Sequence, residues 1–439
     1  MSKWKRTPFE QLIEDSKDGE WGEGREGVGL REATIIRGTD FVELDNPDAD
    51  FPKRWIKEQI VERKSLRPGD IILETAGGTS TQSTGRSALL KASFFRDRSD
   101  TPVLCASFSR YLRLERAKYS PRFVYYLLQT LYRSGYMAVF NIQHTGVSRF
   151  QYTAFRNHTE LRIPELSVQQ RIAAVLSAYD ELIENNRRRI SLLERVAEEI
   201  YREWFVRLRY PGHDSMESIR GLPKDWQALP FSEIVDVNPA ERVHKSEDVP
   251  FAGMEDLSLN SMFFAFKETR RGAQGAKFRN NDVLFPRITP SVENGKRGFV
   301  MTLAAGQVGL GSTEFIVFRE KVIGPEHIYF LSCSDGFRRH AELSMTGASG
   351  RQRVQEECFS FFLVKTPPPE IRHRFAEVVR PHFSQIHQLS IQIALLATTR
   401  DLLLPRLMSG RISLDNSNVK YPAGMADELD TGTRLTAYA

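Results

Sequence analysis

Only three cysteines occur in the 439 residues, at Cys105, Cys333 and Cys358. Widely spaced and odd in number, they build neither a disulfide framework nor a CxxC metal knuckle, which fits a reducing compartment. No apolar run approaches the roughly 20 residues that cross a bilayer. The opening MSKWKRTPFEQLIED lacks the apolar core that a signal peptide needs, so the expected location is the cytoplasm. Catalytic signatures are equally scarce: there is no GxxxxGK[ST] loop, no HExxH and no GxSxG, so these nucleotide, zinc-hydrolase and serine-hydrolase chemistries lack their carriers. Charge of one sign is not in large excess either. A net +5 tilts towards polyanions without specifying them.

Against these absences stands an unbroken heptad. Ile172, Leu176, Tyr179, Ile183, Asn186, Ile190, Leu193, Ala197, Ile200 and Trp204 alternate steps of four and three, a single seam on one helix face that calls for a partner helix. An offset of 203 leads from Ile172 to Phe375, and the same spacing continues through Val379, His382, Ile386, Leu389, Ile393, Leu396, Arg400, Leu403 and Leu407. Only His382 and Arg400 break that pattern. The repeat extends upstream, where Trp4, Pro8, Phe9 and Leu12 recur at an offset of 222 as Trp226, Pro230, Phe231 and Ile234. Gly38 is echoed by Gly253, Pro121 by Pro325, and His144-Thr145-Gly146-Val147-Ser148-Arg149 by Met345-Thr346-Gly347-Ala348-Ser349-Gly350-Arg351.

The expected fold is α+β: two mixed α/β domains separated by two long helices that form an antiparallel coiled coil, with a pseudo-two-fold internal repeat. Its parts are a first mixed domain (1–165), a first helix (166–210), a linker (211–225), a second mixed domain (226–366), a second helix (367–410) and a tail (411–439) expected to be mostly disordered. Strands are expected near 33–37, 70–73, 103–114, 282–285, 297–301 and 315–319, and a helix from Pro121 to about Tyr136 with proline at its first position. The first long helix is expected to start with a capping box, Ser167 with Gln170. The second should begin behind Pro367-Pro368-Pro369, kink or finish at Pro405, and stop at Ser409-Gly410. Asn186, inside the seam, is expected to make an interhelical polar contact that fixes register.

Ile172 to Trp204 at 1.5 Å per residue gives a rod of about 50 Å, which matches roughly 15 base pairs of B-DNA. Two readers held in inverted orientation at a fixed separation would address two half-sites across a gap. Because the two mixed domains agree only at framework positions, those half-sites should differ.

The stretch IPELSVQQRIAAVLSAYDELIENNRRRISLLERVAEEIYREWF (Ile163 to Phe205) and the closing RDLLLPRLMSGRISL (Arg400 to Leu414) resemble the two conserved spacer regions of specificity subunits of type I restriction-modification enzymes. TGASGRQRV (Thr346 to Val354) is similar to the end of a target recognition domain in that family. The resemblance implies a non-catalytic subunit whose two target recognition domains direct a DNA adenine methyltransferase and an ATP-driven nuclease-translocase to a bipartite sequence. Implied partners are double-stranded DNA, two methyltransferase subunits and restriction subunits. No cofactor or metal is expected on this chain; S-adenosylmethionine, ATP and Mg²⁺ would sit in the partners. The Asn-Pro-Pro-aromatic motif of adenine methyltransferases is absent, Asn238-Pro239-Ala240 being a different pattern. This chain departs from the family by opening almost directly on the first recognition domain, and at His382 and Arg400.

Candidate DNA contacts fall in Gly- and Arg-bearing loops, where glycine permits close approach, arginine grips phosphate or guanine and glutamine reads adenine. They are Gly347, Ser349, Arg351, Gln352 and Arg353, the matched Gly146, Ser148 and Arg149, Arg86 at the end of the Ser/Thr/Gly loop 75–86, and Arg287, Lys296 and Arg297. The plain alternative for each is a solvated loop arginine. Subunit docking and helix pairing are assigned to Ile172, Leu176, Ile183, Asn186, Ile190, Leu193, Ile386, Leu389, Ile393 and Leu396. Two other functions stay open: a Mg²⁺-dependent nuclease built from Pro47-Asp48, Glu62 and Lys64, and a coiled-coil scaffold without DNA affinity.

Overall fold

The computed structural model describes residues 4–425 except 47–48, 79–81, 97, 99–100, 145–146, 214–217, 220–221, 245, 260, 273, 349 and 416. It divides into two compact units. The first joins Met1–Glu184 to Leu395–Ala439, and the second is Asn185–Ala394.

In the first unit, the run Ile71–Glu74, opened by two β-branched isoleucines, is buried on both faces and forms the heart of an antiparallel sheet. Its strand order is Ile13–Asp18, Ser109–Leu114, Ile71–Glu74, Ser87–Leu89. A second sheet places Leu30–Ile36 between antiparallel Lys53–Lys57 and parallel Val103–Cys105. The second unit has the same arrangement. Its all-antiparallel sheet runs Val235–Val237, Phe315–Glu320, Val283–Pro286, Gly298–Phe299. Its other sheet sets Asp248–Ala252 between antiparallel Glu268–Arg271 and parallel Gly309–Gly311, with Ala276–Phe278 added outside. Each unit is also closed by a short antiparallel pair, Lys5–Pro8 with Glu160–Ile163 and Gln227–Pro230 with Leu363–Thr366.

A buried ion pair recurs at the same place in both sheets. Arg113 grips Asp70 through two hydrogen bonds of 2.9 and 2.7 Å, and Arg319 grips Asp282 through two of 2.8 and 2.6 Å. Each aspartate also accepts a backbone N–H three residues upstream, from Arg67 and from Arg279, so it closes the turn that launches the central strand. With both charges paired and the carboxylates hydrogen-bonded to backbone, burial is tolerated. Neither pair was anticipated from the sequence, because its members stand 43 and 37 residues apart.

The first long helix is Leu166–Tyr201, continued by a wider turn, Arg202–Val206; the second is Pro369–Met408, starting at the last of three prolines. Within the first unit, Ile172, Leu176, Leu404, Leu407 and Met408 share one core, and Arg400 donates to Asp180 at 2.6 Å. That ion pair accounts for one break in the heptad. Within the second unit, Ile190, Ala197 and Trp204 join Phe375, Val379, Ile386 and Leu389, with Leu193 and Ile393 at the margin. Asn186 is buried there and donates to Gln392 Oε1 at 3.3 Å. Ile183 is buried and Leu396 half-buried.

Three local expectations need correction. Ser167 does not cap the first helix; its hydroxyl donates to the Glu165 carboxylate at 2.9 Å. The polar work at that end falls to Gln169, whose amide binds Ser120 N, Lys118 O and Pro164 O, because the side chain at 169 faces inward and that at 170 does not. The helix does not finish at Pro405; it runs three residues further, to Met408, and Gly410, at φ 72°, follows its end. Residues 411–425, taken as the start of a disordered tail, pack on the first unit's core through Ile412, Leu414, Val419 and Met425. The remaining tail, 426–439, lies outside the described residues.

Candidate nucleic-acid interface

In the first unit, Asn141–His144 and Val147–Phe150 form an antiparallel pair whose second strand also pairs with Ala76–Gly78. Thr84, fully buried, ties the Ser/Thr/Gly loop to that pair. Its Oγ1 donates to Ser148 O at 3.2 Å and accepts from Gly78 N at 3.2 Å, while Asn141 Nδ2 donates to Thr84 O at 3.1 Å. A Cβ on Gly78 would stand 2.5 Å from Thr84 Oγ1, so the backbone at this position approaches Thr84 too closely for any larger residue.

The second unit builds the corresponding place from a loop closed at its base, where Thr346 and Arg353 exchange backbone hydrogen bonds of 3.1 and 2.9 Å. Gly347 sits at φ 126°, open to glycine and strained for other residues. The loop is stitched to the sheet: Arg287 N donates to Glu314 O and Val354 N donates to Arg287 O, both at 2.8 Å. The first unit carries the same stitch, with Thr75 N donating to Phe108 O at 2.8 Å and Phe150 N to Thr75 O at 2.9 Å.

The candidate side chains separate into exposed and internally engaged groups. Arg149 and Arg351 are exposed on these fixed backbones and form no ion pair among the described residues. Ser148 and Gln352 are half-buried beside them. Arg353 is exposed but held by Glu314, whose carboxyl is kept below the usual range by that guanidinium. Gly146 and Ser349 lie outside the described residues, as do Asp48 and the side chain of His144.

The remaining basic candidates are spent inside the protein. Arg297 is 5 % exposed and donates to Ser332 O and Gly295 O, so it is a core residue and not a groove contact. Arg86 is locked onto the buried Glu74 at 2.6 and 3.0 Å. Arg287 pairs with Glu356 at 3.1 Å, and Lys296 donates to Met254 O at 2.9 Å. Each of these satisfies a carboxylate or carbonyl from its own domain, which the sequence alone does not reveal.

Glu62 and Lys64 lie in a helix, Glu58–Lys64, and Lys64 pairs with Glu20 at 3.2 Å. Among the described residues no group of three or more His, Cys, Asp or Glu is placed to hold a metal ion. Gly22-Glu23-Gly24-Arg25-Glu26-Gly27 spells GxGxxG, but it leads into the strand Leu30–Ile36 and opens no helix, so it makes no phosphate cradle. Among the described residues no helix is long and apolar enough to cross a membrane.

Residues 58–195 match the family described as type I restriction modification DNA specificity domain. The chain is 24% identical over 312 residues to the type I restriction enzyme MjaIX specificity subunit of Methanocaldococcus jannaschii, covering 67% of this chain and 69% of that one. It is 29% identical over 154 residues to the EcoEI specificity subunit of Escherichia coli, covering 34% and 26%. Its fold is shared with the crystal structure of a type I restriction-modification S subunit from M. genitalium, with a TM-score of 0.54 and 14% identity over 92% of this chain and 96% of the other. Residues 58–195 thus match a type I restriction modification DNA specificity domain, and the chain as a whole is similar to specificity subunits of type I restriction-modification enzymes.

Proposed function

We propose that the chain is an internally duplicated DNA reader in which each unit contributes one target recognition domain and the two domains address different halves of an asymmetric, bipartite target. The observation that carries this is the repeated stitch. Each unit fixes an arginine-bearing loop or strand pair, ending at Phe150 or Val354, onto the same end of the two central strands of an equivalently ordered sheet, yet the side chains differ. A constant frame with variable contents is what reading two unlike half-sites requires. Arg149 and Arg351 are the leading contacts, with Ser148, Gln352 and Arg353 beside them.

The two long helices act in this reading as an antiparallel coiled coil that sets the gap between half-sites. The charge-matched Arg400–Asp180 pair and the Asn186–Gln392 contact support it, since both join one long helix to the other. The chain recruits two methyltransferase subunits, and restriction subunits where the system has them. It performs no catalysis itself, binds no cofactor, and works in the cytoplasm of a prokaryotic cell beside partners that carry S-adenosylmethionine, ATP and Mg²⁺.

Reconstitution tests the reading. The purified chain mixed with the methyltransferase subunit encoded beside it should methylate adenine at one bipartite sequence, read out by methylation-sensitive single-molecule sequencing. Methylation that is scattered, or confined to a single uninterrupted motif, would refute it.

A further inference from the structure

Each unit carries a short helix that begins with proline, Pro121–Arg133 in one and Pro325–Cys333 in the other, and the second residues have opposite charge, Arg122 and Glu326. Both side chains are buried against the long helix of their own unit. Arg122 Nη1 donates to Ser177 Oγ at 3.1 Å and lies 3.8 Å from the Glu181 carboxylate. Its Nη2 donates to the carbonyl oxygen of Gly424 at 2.7 Å. Gly424 fits so closely that an added Cβ would stand 2.8 Å from Glu181 Oε1, and Met425 beyond it is buried. The first unit thus fills the groove between short and long helix with this chain's own later segment.

In the second unit the polarity is reversed. The residue at the repeat offset from Ser177 is Arg380, whose Nε donates to Glu326 Oε1 at 2.9 Å. Glu326 is 4 % exposed, and its other oxygen, Oε2, has no hydrogen-bond partner among the described residues. A cavity of about 440 Å³ opens there, walled by Phe299, Met301 and Phe383 with Ser384 and His387 at the long-helix side.

The geometry points to this groove as a docking site for an extended segment of a partner protein that places a lysine or arginine side chain on Glu326 Oε2. A buried carboxylate oxygen without a donor is costly, and a charge-assisted donor is the strongest remedy. Phe299 and Phe383 are themselves almost wholly buried, so the aliphatic stem of such a side chain would rest on the half-buried Met301, and its cationic end would meet the carboxylate. The reversed charge also rejects a copy of the first unit's solution, because a carbonyl oxygen offered to Arg122 would repel Glu326. This inference concerns a protein partner and stands independently of how DNA is read.

The test uses the full chain, labelled with ¹³C-histidine, and two peptides, acetyl-Gly-Arg-Gly-amide and its glutamine counterpart. The ring signals of His387 should shift saturably with the arginine peptide, and the glutamine peptide should bind at least tenfold more weakly. Glu326→Gln should bring the arginine peptide down to the glutamine level. Arg380 is already 61% exposed on its side chain, so it should stay solvated and the fold should be kept, which circular dichroism would check. Ser384→Trp, which fills the cavity, should abolish both shifts. Equal affinities, no saturable shift, or indifference to Glu326→Gln overturns the proposal. So does concentration-dependent dimerisation that Ser384→Trp removes, since that outcome assigns the groove to a second copy.

Discussion

The guanidinium of Arg353 lies flat against the carboxylate of Glu314, with Nε 2.9 Å from one oxygen and Nη2 2.7 Å from the other. Arg351, two residues away, is exposed without an ion pair among the described residues. The two arginines therefore have different tasks. Arg351→Ala should weaken binding to duplex DNA by about tenfold and, if Arg351 grips a phosphate, lower the slope of log K against log salt by about 1. Arg353→Ala should act indirectly, by releasing the loop and leaving Glu314 unpaired near the DNA. Glu314→Gln should recover part of that loss, which fluorescence anisotropy across a salt series would register.

His327 makes a second relationship testable. It is buried, its ring stacked 4.1 Å from Phe205 and edge-on to Tyr201, and burial pushes its pKa down to about 3. The folded protein keeps this imidazole neutral while the unfolded chain protonates it below about 6.5. Stability from this group is thus complete above about pH 6.5 and falls on acidification towards pH 3, by up to about 1.4 kcal/mol per pH unit. The matching residue of the first unit is the fully buried Phe123. His327→Phe should flatten the acid limb of a plot of melting temperature against pH; an unchanged limb would clear His327 of the effect.

Glu194 runs the opposite way. Its carboxylate sits on the first long helix and accepts from Ser261 Oγ at 2.9 Å and Met262 N at 2.8 Å. Burial pushes its pKa up to about 7, from an ordinary value near 4.5. Between those two values the folded state holds the proton more tightly than the unfolded chain, so this group's contribution declines as pH rises from about 4.5 to 7. Glu194→Gln keeps an acceptor for Met262 N and should raise the melting temperature at pH 8 by roughly 2–4 °C, with little change at pH 4.5.

The ruler role proposed for the long helices has its own measurement. One heptad inserted in each should lengthen the rod by about 10 Å and the preferred gap by about three base pairs, subject to helical phase. Methylome sequencing of cells carrying the insertion would report the new gap, and an unaltered gap would remove the helices from that role.

How much could be read from the chain beforehand depended on the distance over which the controlling interaction acts. The heptad, the prolines before both helices and Gly410 after the second are local signals, and the structure has helices at those places. Asn186 was legible as a polar seam residue because its neighbours in the seam are apolar. Arg297 was not legible as a core residue, since its acceptor Ser332 O is 35 residues away. The same holds for Arg86 and Glu74, and for Arg353 and Glu314. A loop arginine looks the same in a sequence whether it faces solvent or a buried carboxylate. Ser167 illustrates the reverse failure: a correct local motif lost to Gln169, which had tertiary partners to satisfy.

The docking of residues 411–425 and the last turns of the second long helix onto the first unit has a consequence for biosynthesis. The second unit, Asn185–Ala394, is whole as soon as its own stretch has left the ribosome. The first unit, although translated earlier, must wait with Leu176 and its neighbours uncovered until Leu404, Leu407 and Met425 emerge. The domain begun first is finished last, and the nascent chain spends that interval exposing an apolar face that chaperones would recognise.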